Sequence, residues 1–456
     1  MADYNFSLDP LIVSKVETKH RKIVTAIPAP GTKDILLRLG KVESRSMHGQ
    51  LPLVWDKAEG FNIFDKFGNC WIDFTSGIFF SNVGHSNPRI TKALKNAIDK
   101  PLIGCYAYPN SIRADYLEKL IDFAGNSFEK GFLLSAGTET TEAAIKLMRL
   151  NGIKEGQKKL GIICIENNWH GRTLGAQMLS SNVPQKEWIG YQDQDIHYIP
   201  FPYPWNLGEK SGSQFLLDGI TELENKGINI STDICGFMLE TFQGWGAVFY
   251  PSDYVQGIRK LSSENNILLT FDEMQAGFGR TGKAFGYEHY EVEADLICCG
   301  KGMGGGVPLS GVLGKKEVMD LPEIGNMSST HSANPLVCSA GIAVIEEIKE
   351  NCLLDESSKK GKVLFSELNN IKDLYPENIS YVLGKGLIFA LIFTKQDGTA
   401  DVHTPSKISE LCMQKGLLVV HTGRESIKIG PPLNISESAL YEGIGVLKES
   451  IQKILE

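Results

Sequence analysis

The feature that most constrains this chain is a set of short apolar runs that alternate with helical patterns. The runs are GIICIEN (161–167), ICGFMLE (234–240), NILLTFDE (266–273) and ADLICCG (294–300). Segments 138–150 and 252–266 carry helical patterns between them. Strands that are apolar along their whole length are buried on both faces, which is typical of a parallel sheet covered by helices. The sequence therefore predicts an α/β fold.

The pattern changes after about residue 335. A helix is predicted at 334–350, short strands at 386–393, 416–422 and 426–431, and a closing amphipathic helix near the end of the chain. We therefore predict three segments. Residues 1–75 form an N-terminal arm and part of a small domain, residues 76–335 form a large domain, and residues 336–456 form a C-terminal small α+β domain.

Composition narrows the function classes. The 456 residues carry a net charge of −8 and no long basic run, so nucleic acid is not expected as a partner. The nine cysteines include no C-x-x-C pair, which fits a reducing compartment. The N-terminus lacks a signal-peptide pattern, and no apolar run approaches the roughly 18–20 residues that span a membrane. We predict a cytoplasmic protein with no metal site and no membrane segment.

A glycine-rich loop follows the fourth apolar run. The stretch DLICCGKGMGGGVPLSGVLG (295–314) fits G-x-G-x-x-G at Gly300, Gly302 and Gly305. A dinucleotide-binding turn should open directly into a helix, whereas this loop contains Pro308 and continues as another predicted strand. The phosphate-binding pattern G-x-x-x-x-G-K-[ST] is absent as well. The loop is therefore interpreted as the setting of Lys301 rather than as a nucleotide site.

Polar side chains stand where the predicted strands end. Trp169 and Arg172 follow the first run, Glu240 ends the second, Asp272 closes the third and Lys301 follows the fourth. Ligands of open α/β sheets bind beyond the carboxyl ends of the strands, so these side chains should gather at one edge. Each alone could be a helix cap or a solvated charge. Their convergence favours a functional site.

A separate segment indicates an anion site. LLSAGTETTEAA (133–144) places Ser135, Gly137 and Thr138 where a loop becomes a helix, and free N–H groups there favour a phosphate. The alternative is that Thr138 only caps the helix. Pyridoxal phosphate (PLP) would use the whole set, because a lysine forms a Schiff base with its aldehyde, a carboxylate pairs with its ring nitrogen and an aromatic side chain covers its ring. The sequence predicts PLP as the cofactor.

With these motifs the chain resembles the class III (ω-amino acid type) aminotransferases of fold type I, from about residues 60–78 to 427–436. FDEMQAGFGRTGKAFGYEH (271–289), followed by Lys301 and GGGVPL, carries most of the resemblance. SAGTETTEAAIK, WHGRT, ETFQGWG and STHSANPL support it. The resemblance implies a large PLP-binding domain with a mostly parallel seven-stranded sheet flanked by helices, and a smaller α+β domain.

The resemblance also implies roles for individual residues. Lys301 corresponds to the Schiff-base lysine and later to the general base, and Asp272 to the partner of the ring nitrogen. Trp169, where the family usually has Tyr or Phe, is expected on one ring face and Met274 on the other. Glu240 corresponds to a carboxylate that the family retains near the catalytic lysine.

The remaining cofactor contacts follow in the same way. Gln275 is expected to hydrogen-bond the 3-hydroxyl of PLP, and Gly137 and Thr138 to hold its phosphate. Thr330 resembles the residue that reaches the phosphate of a neighbouring subunit. The resemblance therefore implies a homodimer with shared active sites, or a tetramer built from it.

The substrate side departs from the family pattern. Many members use an arginine and a glutamate as a gated pair, and this chain has Lys428 and Trp245 at those positions. Lysine offers a point charge where arginine offers a bidentate donor, so carboxylate recognition should differ. Lys428 could equally be a solvated charge at a strand end, and Trp245 could simply wall the pocket. Arg172 is expected to bind a distal carboxylate, and Phe79 to line the pocket or to pack in the core.

The function implied is transfer of an amino group from an ω-amino acid, an amine or a related amino acid to a 2-oxo acid, either pyruvate or 2-oxoglutarate. The same motifs also serve racemases, epimerases, decarboxylases and aminomutases. Absence of the gated pair slightly favours an epimerase among these alternatives. A non-catalytic regulator with this fold should lack the lysine or the aspartate, and both are present.

Overall fold

The secondary structure of the chain alternates strands and helices through its middle, as the sequence predicts. A computed structural model describes residues 4–47, 49–125, 127–154 and 158–456, so the first three residues of the predicted N-terminal arm lie outside it. The N-terminal elements are β1 (Val16–Glu17), β2 (Lys22–Ile23), α1 (Thr32–Val42), β3 (Lys57–Glu59), β4 (Asn62–Phe64), β5 (Cys70–Asp73) and α2 (Ser76–Phe79).

The middle of the chain contributes most elements. They are α3 (Pro88–Asp99), α4 (Ser111–Ala124), β6 (Lys130–Leu134), α5 (Gly137–Ile153), β7 (Gly161–Ile165), α6 (Leu174–Met178), α7 (Val183–Lys186), β8 (Ile196–Ile199), α8 (Gly212–Asn225), α9 (Ile230–Asp233), β9 (Ile234–Glu240), β10 (Phe242–Gln243), β11 (Val248–Phe249), α10 (Ser252–Asn265), β12 (Leu268–Asp272), β13 (Leu296–Cys299), β14 (Ser310–Gly314), α11 (Lys316–Met319) and α12 (Pro335–Glu350). The C-terminal elements are α13 (Leu353–Leu374), β15 (Ile379–Lys385), β16 (Ile388–Phe393), α14 (Thr404–Gln414), β17 (Leu417–Leu418), β18 (Val420–His421), β19 (Ser426–Ile429) and α15 (Glu437–Leu455).

The described chain divides into two compact units. The first comprises the residues up to Asn87, together with Trp245–Ala247 and Cys352–Glu456. The second comprises Pro88–Gly244 and Val248–Asn351. These limits differ from the predicted boundaries at 75/76 and 335/336. Helix α12 packs along α3 and α4 of the second unit, so the second unit continues to the end of that helix.

The second unit is built on a seven-stranded sheet in the order β6-β14-β13-β12-β9-β7-β8. Strands β13, β12, β9, β7 and β8 run parallel, and only β14 is antiparallel to its neighbours. The four apolar runs are strands β7, β9, β12 and β13, and all residues of these strands are buried. The predicted α/β fold with a mostly parallel seven-stranded sheet is confirmed.

Helix α5 fills one face of this sheet. Its residues Ala144, Leu147 and Met148 are fully buried and belong to one cluster with Ile162 and Met238 of the strands. A branched or aromatic side chain close to the sheet would not fit where Gly236 approaches Met148, because an added Cβ would lie 2.1 Å from the Met148 Sδ. This packing fixes the start of α5 beside the carboxyl ends of the strands.

The first unit combines residues from both ends of the chain. The two-residue strand β17 pairs in parallel with β5, and β15, β16, β19 and β18 form an antiparallel sheet. Trp71 on β5 is fully buried, and its indole N–H donates to the carbonyl of Met413 at 2.7 Å. Packing around Trp71 therefore joins the N-terminal strands to the C-terminal part of the same unit.

No helix in the four described stretches combines the length and the apolar character needed to cross a bilayer.

Replacing Trp71 with Ala should destabilise the protein by about 3–5 kcal/mol, because a large buried ring is lost and the Met413 carbonyl loses its donor. Trp71→Phe, which keeps most of the ring, should cost clearly less. Melting temperatures of the full-length variants, followed by calorimetry, measure both effects. Equal losses for Ala and Phe would contradict the assignment of this side chain to the core.

Candidate active site

The candidate site is an open pocket of about 200 Å³ at the carboxyl edge of the sheet in the second unit. Strands β9 and β12 pair in parallel with Glu240 opposite Asp272, so two carboxylates end neighbouring strands at the same level. The pocket is lined by Gly137, Thr138, Trp169, His170, Gly171, Glu240, Thr241, Phe242, Asp272, Met274, Gln275, Ala276 and Lys301. The predicted convergence of strand-end side chains is therefore present.

Lys301 stands directly after β13, in a single 3₁₀ turn over Lys301–Met303. Its φ of +44° lies in the left-handed region, which non-glycine residues adopt at a cost, so the surrounding loop holds it there. Burial lowers the pKa of its amine, and the charges of Asp272 and Glu240 oppose that shift only in part. Strand β14 follows the loop, so the dinucleotide interpretation is excluded by the structure as well as by the sequence.

Asp272 is held by two hydrogen bonds. The Met274 N–H donates to Oδ1 at 3.0 Å, and His170 Nδ1 lies 2.9 Å from Oδ2. Asn168 Nδ2 donates to His170 Nε2 at 2.7 Å, so Nε2 is the acceptor and the ring proton on Nδ1 points at the carboxylate. An Asn–His–Asp chain thus holds the carboxylate in place.

Glu240 connects two walls of the pocket. Its Oε2 accepts the N–H of Trp169 at 3.0 Å, and its Oε1 accepts the N–H of Gly244 at 3.2 Å. The Trp169 ring is 36% exposed and carries the Arg172 guanidinium 4.3 Å from its centroid. Cation–π contact of this kind steadies an exposed ring. Arg172 therefore contacts the predicted ring-stacking residue.

The anion end of the pocket is the start of α5. The Glu139 carboxylate accepts the N–H groups of Ser135 and Ala136 at 2.8 and 2.9 Å. The N–H groups of Gly137 and Thr138 have no acceptor among the described residues. Because helix N-termini attract anions, these two groups can hold a phosphate.

Two glycines make room for Met274. A Cβ at Gly137 would lie 2.6 Å from the Met274 Sδ, and a Cβ at Gly300 would lie 2.5 Å from it. A similar crowding exists at Gly244, where a Cβ would lie 2.3 Å from Gln275 Nε2. A side chain at any of these glycines would displace Met274 or Gln275 from its present position in the pocket.

The other sequence-predicted site residues are not among those that line this pocket. Phe79 and Lys428 belong to the first unit, where the Lys428 Nζ lies 4.7 Å from the Phe79 ring centroid. Lys428 is 5% exposed, so its interpretation as a solvated strand-end charge is wrong. Phe79 is 1% exposed, which favours the packing alternative. Trp245, also in the first unit, has the Arg424 guanidinium 4.0 Å from its ring.

Thr330 is exposed on the second unit.

Sequence reasoning gave no role to four residues that either line the pocket or contact a residue that lines it. His170 and Asn168 flank Trp169 in the chain, and Thr241 and Phe242 follow Glu240. The motif NNWHG contains the signal for the first two, because a buried His next to an Asn is well suited to orient a carboxylate. The contact with Asp272 spans 102 residues and depends on strand order.

The side chains present fit PLP. The lysine has a lowered pKa, a carboxylate with a fixed orientation stands near it, an indole lines the pocket and two free N–H groups mark a phosphate position. The glycine contacts described above show that the pocket is shaped by close backbone approach rather than left over by loose packing.

A family profile described as Aminotransferase class-III matches residues 44–451. The chain belongs to the class-III aminotransferase family. Its cofactor is PLP, and the predictions of family, cofactor and PLP-dependent amino transfer are confirmed. Family membership implies an amino donor and a 2-oxo acid, and it favours amino transfer over the racemase, epimerase and decarboxylase alternatives.

Similar proteins are consistent with this assignment. Acetylornithine aminotransferase of Clostridium acetobutylicum is 31% identical over 89% of this chain and 98% of its own length. Alanine/serine racemase of Pyrococcus horikoshii is 30% identical over 99% of this chain and 96% of its own. An ornithine aminotransferase structure from Toxoplasma gondii, described with partial occupancy of PLP at its active site, aligns with a TM-score of 0.81 at 23% identity, covering 93% of this chain and 95% of that one.

In this class-III aminotransferase a third carboxyl group, Glu273, is buried next to the pocket residue Thr241. It accepts the Thr241 hydroxyl at 2.6 Å and the N–H groups of Gly286 and Tyr287 at 2.8 and 2.7 Å. Burial nevertheless raises its pKa from 4.5 to about 7. Between those values the folded chain binds a proton that the unfolded chain has released, so the stability that Glu273 contributes falls as pH rises through this window.

Glu273→Gln does not titrate, so its melting temperature relative to wild type tests this group. The difference, wild type minus variant, should shrink between about pH 5 and about pH 8, by an amount equivalent to at most about 3 kcal/mol. The matched control is Glu224→Gln on the exposed side of α8, which should show no such trend. A difference that stays constant across this pH range would contradict the raised pKa.

Proposed function

We propose that this enzyme moves an amino group from an ω-amino acid, an amine or a related amino acid to a 2-oxo acid, with PLP held in the pocket of the second unit. The observation that carries the proposal is a buried amine with a lowered pKa, Lys301, which lines the same pocket as the two strand-end carboxylates Asp272 and Glu240. A lysine that is readily uncharged can act both as a nucleophile and as a base.

When bound, PLP supplies an electron sink for the electrons left behind when the substrate C–H bond breaks. The N–H groups of Gly137 and Thr138 bind the phosphate, and Asp272 holds a proton on the ring nitrogen. Trp169 and Met274 cover the ring and keep water from it. Lining of one pocket by all these residues supports the assignment.

Two further pocket residues complete the proposed set. Gln275, held against the Gly244 backbone, binds the 3-hydroxyl. Glu240 keeps the Trp169 backbone in place through its N–H and contributes negative charge near Lys301. We propose it as a catalytic residue because it lines the pocket with Lys301, and its charge limits how far burial lowers the pKa of that amine.

Lys301 moves the substrate proton. Its uncharged Nζ would take a proton from the substrate carbon and hold it for delivery to the cofactor side. This role requires an amine that is not permanently protonated. The lowered pKa meets this requirement. The His170 ring and the Met274 N–H hold the Asp272 carboxylate in place for this reaction.

The residues proposed for the donor are Phe79, Arg172, Trp245 and Lys428. Arg172 remains a candidate for a distal carboxylate, since it is an exposed residue whose guanidinium lies over Trp169. Lys428 and Trp245 replace the family's arginine and glutamate, which supports a donor bulkier or less acidic than glutamate. We also propose that the large domain holds PLP, since every residue that lines the pocket belongs to the second unit.

Incubating the purified enzyme with one amino compound at a time, without an oxo acid, tests the proposed reaction. N-acetylornithine, ornithine, alanine and serine form the panel, and pyruvate and 2-oxoglutarate are then compared as acceptors. We expect about one equivalent of the aminated cofactor and of oxo product per site, and continuous turnover only after an oxo acid is added. Lys301→Ala should lose turnover by at least about 10³-fold, because no base remains.

Inversion of alanine or serine without build-up of the aminated cofactor would replace amino transfer by racemisation. Release of CO₂ would indicate a decarboxylase. Turnover retained by Lys301→Ala would contradict the role given to that lysine.

We also propose a homodimer in which Thr330 serves the partner's phosphate site, and a cytoplasmic location. Exposure of Thr330 supports the first point, together with the exposed apolar side chains Leu102, Ile103, Tyr106 and Tyr108 in one short segment. All nine cysteines lie in the described chain as free thiols, which supports a reducing compartment. A tetramer built from such dimers is compatible with the same surfaces.

Mixing two inactive variants tests the shared site. Thr330→Glu should expel the phosphate by charge repulsion, and Lys301→Ala removes the base, so each alone should be inactive. After dissociation and reassembly, a mixture should recover about a quarter of wild-type activity, since half of the dimers would be mixed and each of those would hold one intact site. Each variant carried alone through the same treatment is the control, and a mixture that stays inactive would contradict sharing.

A further inference from the structure

The hydroxyl of Thr138 belongs to a hydrogen-bonded chain that leads away from the pocket. Its Oγ1 lies 2.7 Å from the Thr173 Oγ1. The Thr173 hydroxyl in turn donates to Oε1 of Glu142, one turn further along α5. The same Glu142 oxygen accepts the N–H of Ala176 at 3.0 Å. Three side chains thus form a relay from the anion end of the pocket to a carboxylate outside it.

The acceptor at the end of the relay sets the direction of every proton in it. A carboxylate has only acceptor atoms, so the single proton of Thr173 is given to Glu142. The Thr173 oxygen can then only accept from Thr138, which must give its own proton to Thr173. The Thr173 N–H also donates to the Thr138 oxygen, at 3.4 Å. Thr138 therefore has no proton left for a phosphate oxygen.

The backbone next to the Thr138 hydroxyl approaches it closely. Gly171 has a φ of +138°, and a Cβ there would lie 2.3 Å from the Thr138 Oγ1. The Thr141 hydroxyl donates to the His170 carbonyl at 2.9 Å, which fastens the same loop to α5. The relay is therefore part of a close-packed contact between helix α5 and the loop of residues 168–173.

We propose that Thr173 is a positioning residue that, through Glu142, turns the Thr138 hydroxyl away from the phosphate of PLP. The phosphate is then held by the N–H groups of Gly137 and Thr138, and PLP binds less tightly than the same pocket would otherwise permit. This inference rests on the proposed phosphate position, and it adds that one hydroxyl beside that position is withheld by a neighbouring side chain.

Thr173→Val tests the relay, because valine has the shape of threonine but can neither accept nor donate. The freed Thr138 proton should turn to the phosphate and lower the Kd of PLP by about three- to tenfold, the range of one additional hydrogen bond. The Kd is measured by equilibrium dialysis on the full-length apoenzyme. Pyridoxal, which lacks the phosphate, should bind both proteins with the same Kd within about twofold.

Three variants keep this test independent of general effects on folding. Thr173→Ser restores the hydroxyl and should restore the wild-type Kd. Adding Thr173→Val to Thr138→Val should bring no gain in PLP affinity over Thr138→Val alone, because no hydroxyl remains at position 138 to be freed. Thr221→Val, on an exposed turn of α8, is the matched control for the substitution itself and should have no effect on the Kd.

An unchanged or weakened PLP affinity in Thr173→Val would overturn the relay, as would an equal gain for PLP and pyridoxal. A wild-type protein that binds PLP and pyridoxal with the same Kd would be a different outcome. That result would refute the phosphate position at Gly137 and Thr138, whereas failure of the relay alone leaves the proposed amino transfer intact.

Discussion

The parallel register between β9 and β12 is the constraint on which the site depends. It sets Glu240 opposite Asp272, both 5% exposed, at the ends of two neighbouring strands. Two buried carboxylates this close would be costly without compensation, and the structure compensates them with donors: the N–H groups of Trp169 and Gly244 for one, and His170 with the Met274 N–H for the other. Lys301 then experiences burial that favours its uncharged form and charges that oppose it. Its pKa is the balance of these two effects, so the strand register governs the chemistry available to the amine.

One loop connects these two strands to the start of α5. Residues 168–173 are bound to β9 through the Trp169 N–H, to β12 through the His170 ring and to α5 through the His170 carbonyl and the Thr173 hydroxyl. A loop attached to three elements cannot shift at the aromatic end without disturbing the helix start. The distance between the indole and the two free N–H groups is thereby fixed, which is what a rigid cofactor with a ring at one end and a phosphate at the other requires.

Sequence patterns were sufficient for the sheet and for the strand-end residues, because both depend on local features. Continuous apolar runs mark β7, β9, β12 and β13, and the carboxyl ends of parallel strands meet at one edge whatever the loops do. Sequence patterns were insufficient where a feature depends on tertiary packing. The Asn168–His170–Asp272 chain forms only because the strand order brings its residues together. The two-residue strand β17 exists only through its pairing with β5. Lys428 is buried only because the antiparallel sheet of the first unit packs around it. A strand-end lysine looks solvated in a sequence because charge is usually exposed, and only the neighbouring strands show that this one is not.

Two cations of the first unit lie over aromatic rings. Lys428 lies over Phe79 and Arg424 lies over Trp245, so each positive charge has an aromatic face as a partner. A guanidinium can bind a carboxylate through two parallel N–H donors, whereas an ammonium has no such planar pair of donors. Such an ammonium attracts a single carboxylate as a point charge and imposes little geometry on it. We therefore expect donor selection to depend more on the apolar body of the substrate, packed on aromatic side chains, than on bidentate recognition of its carboxylate.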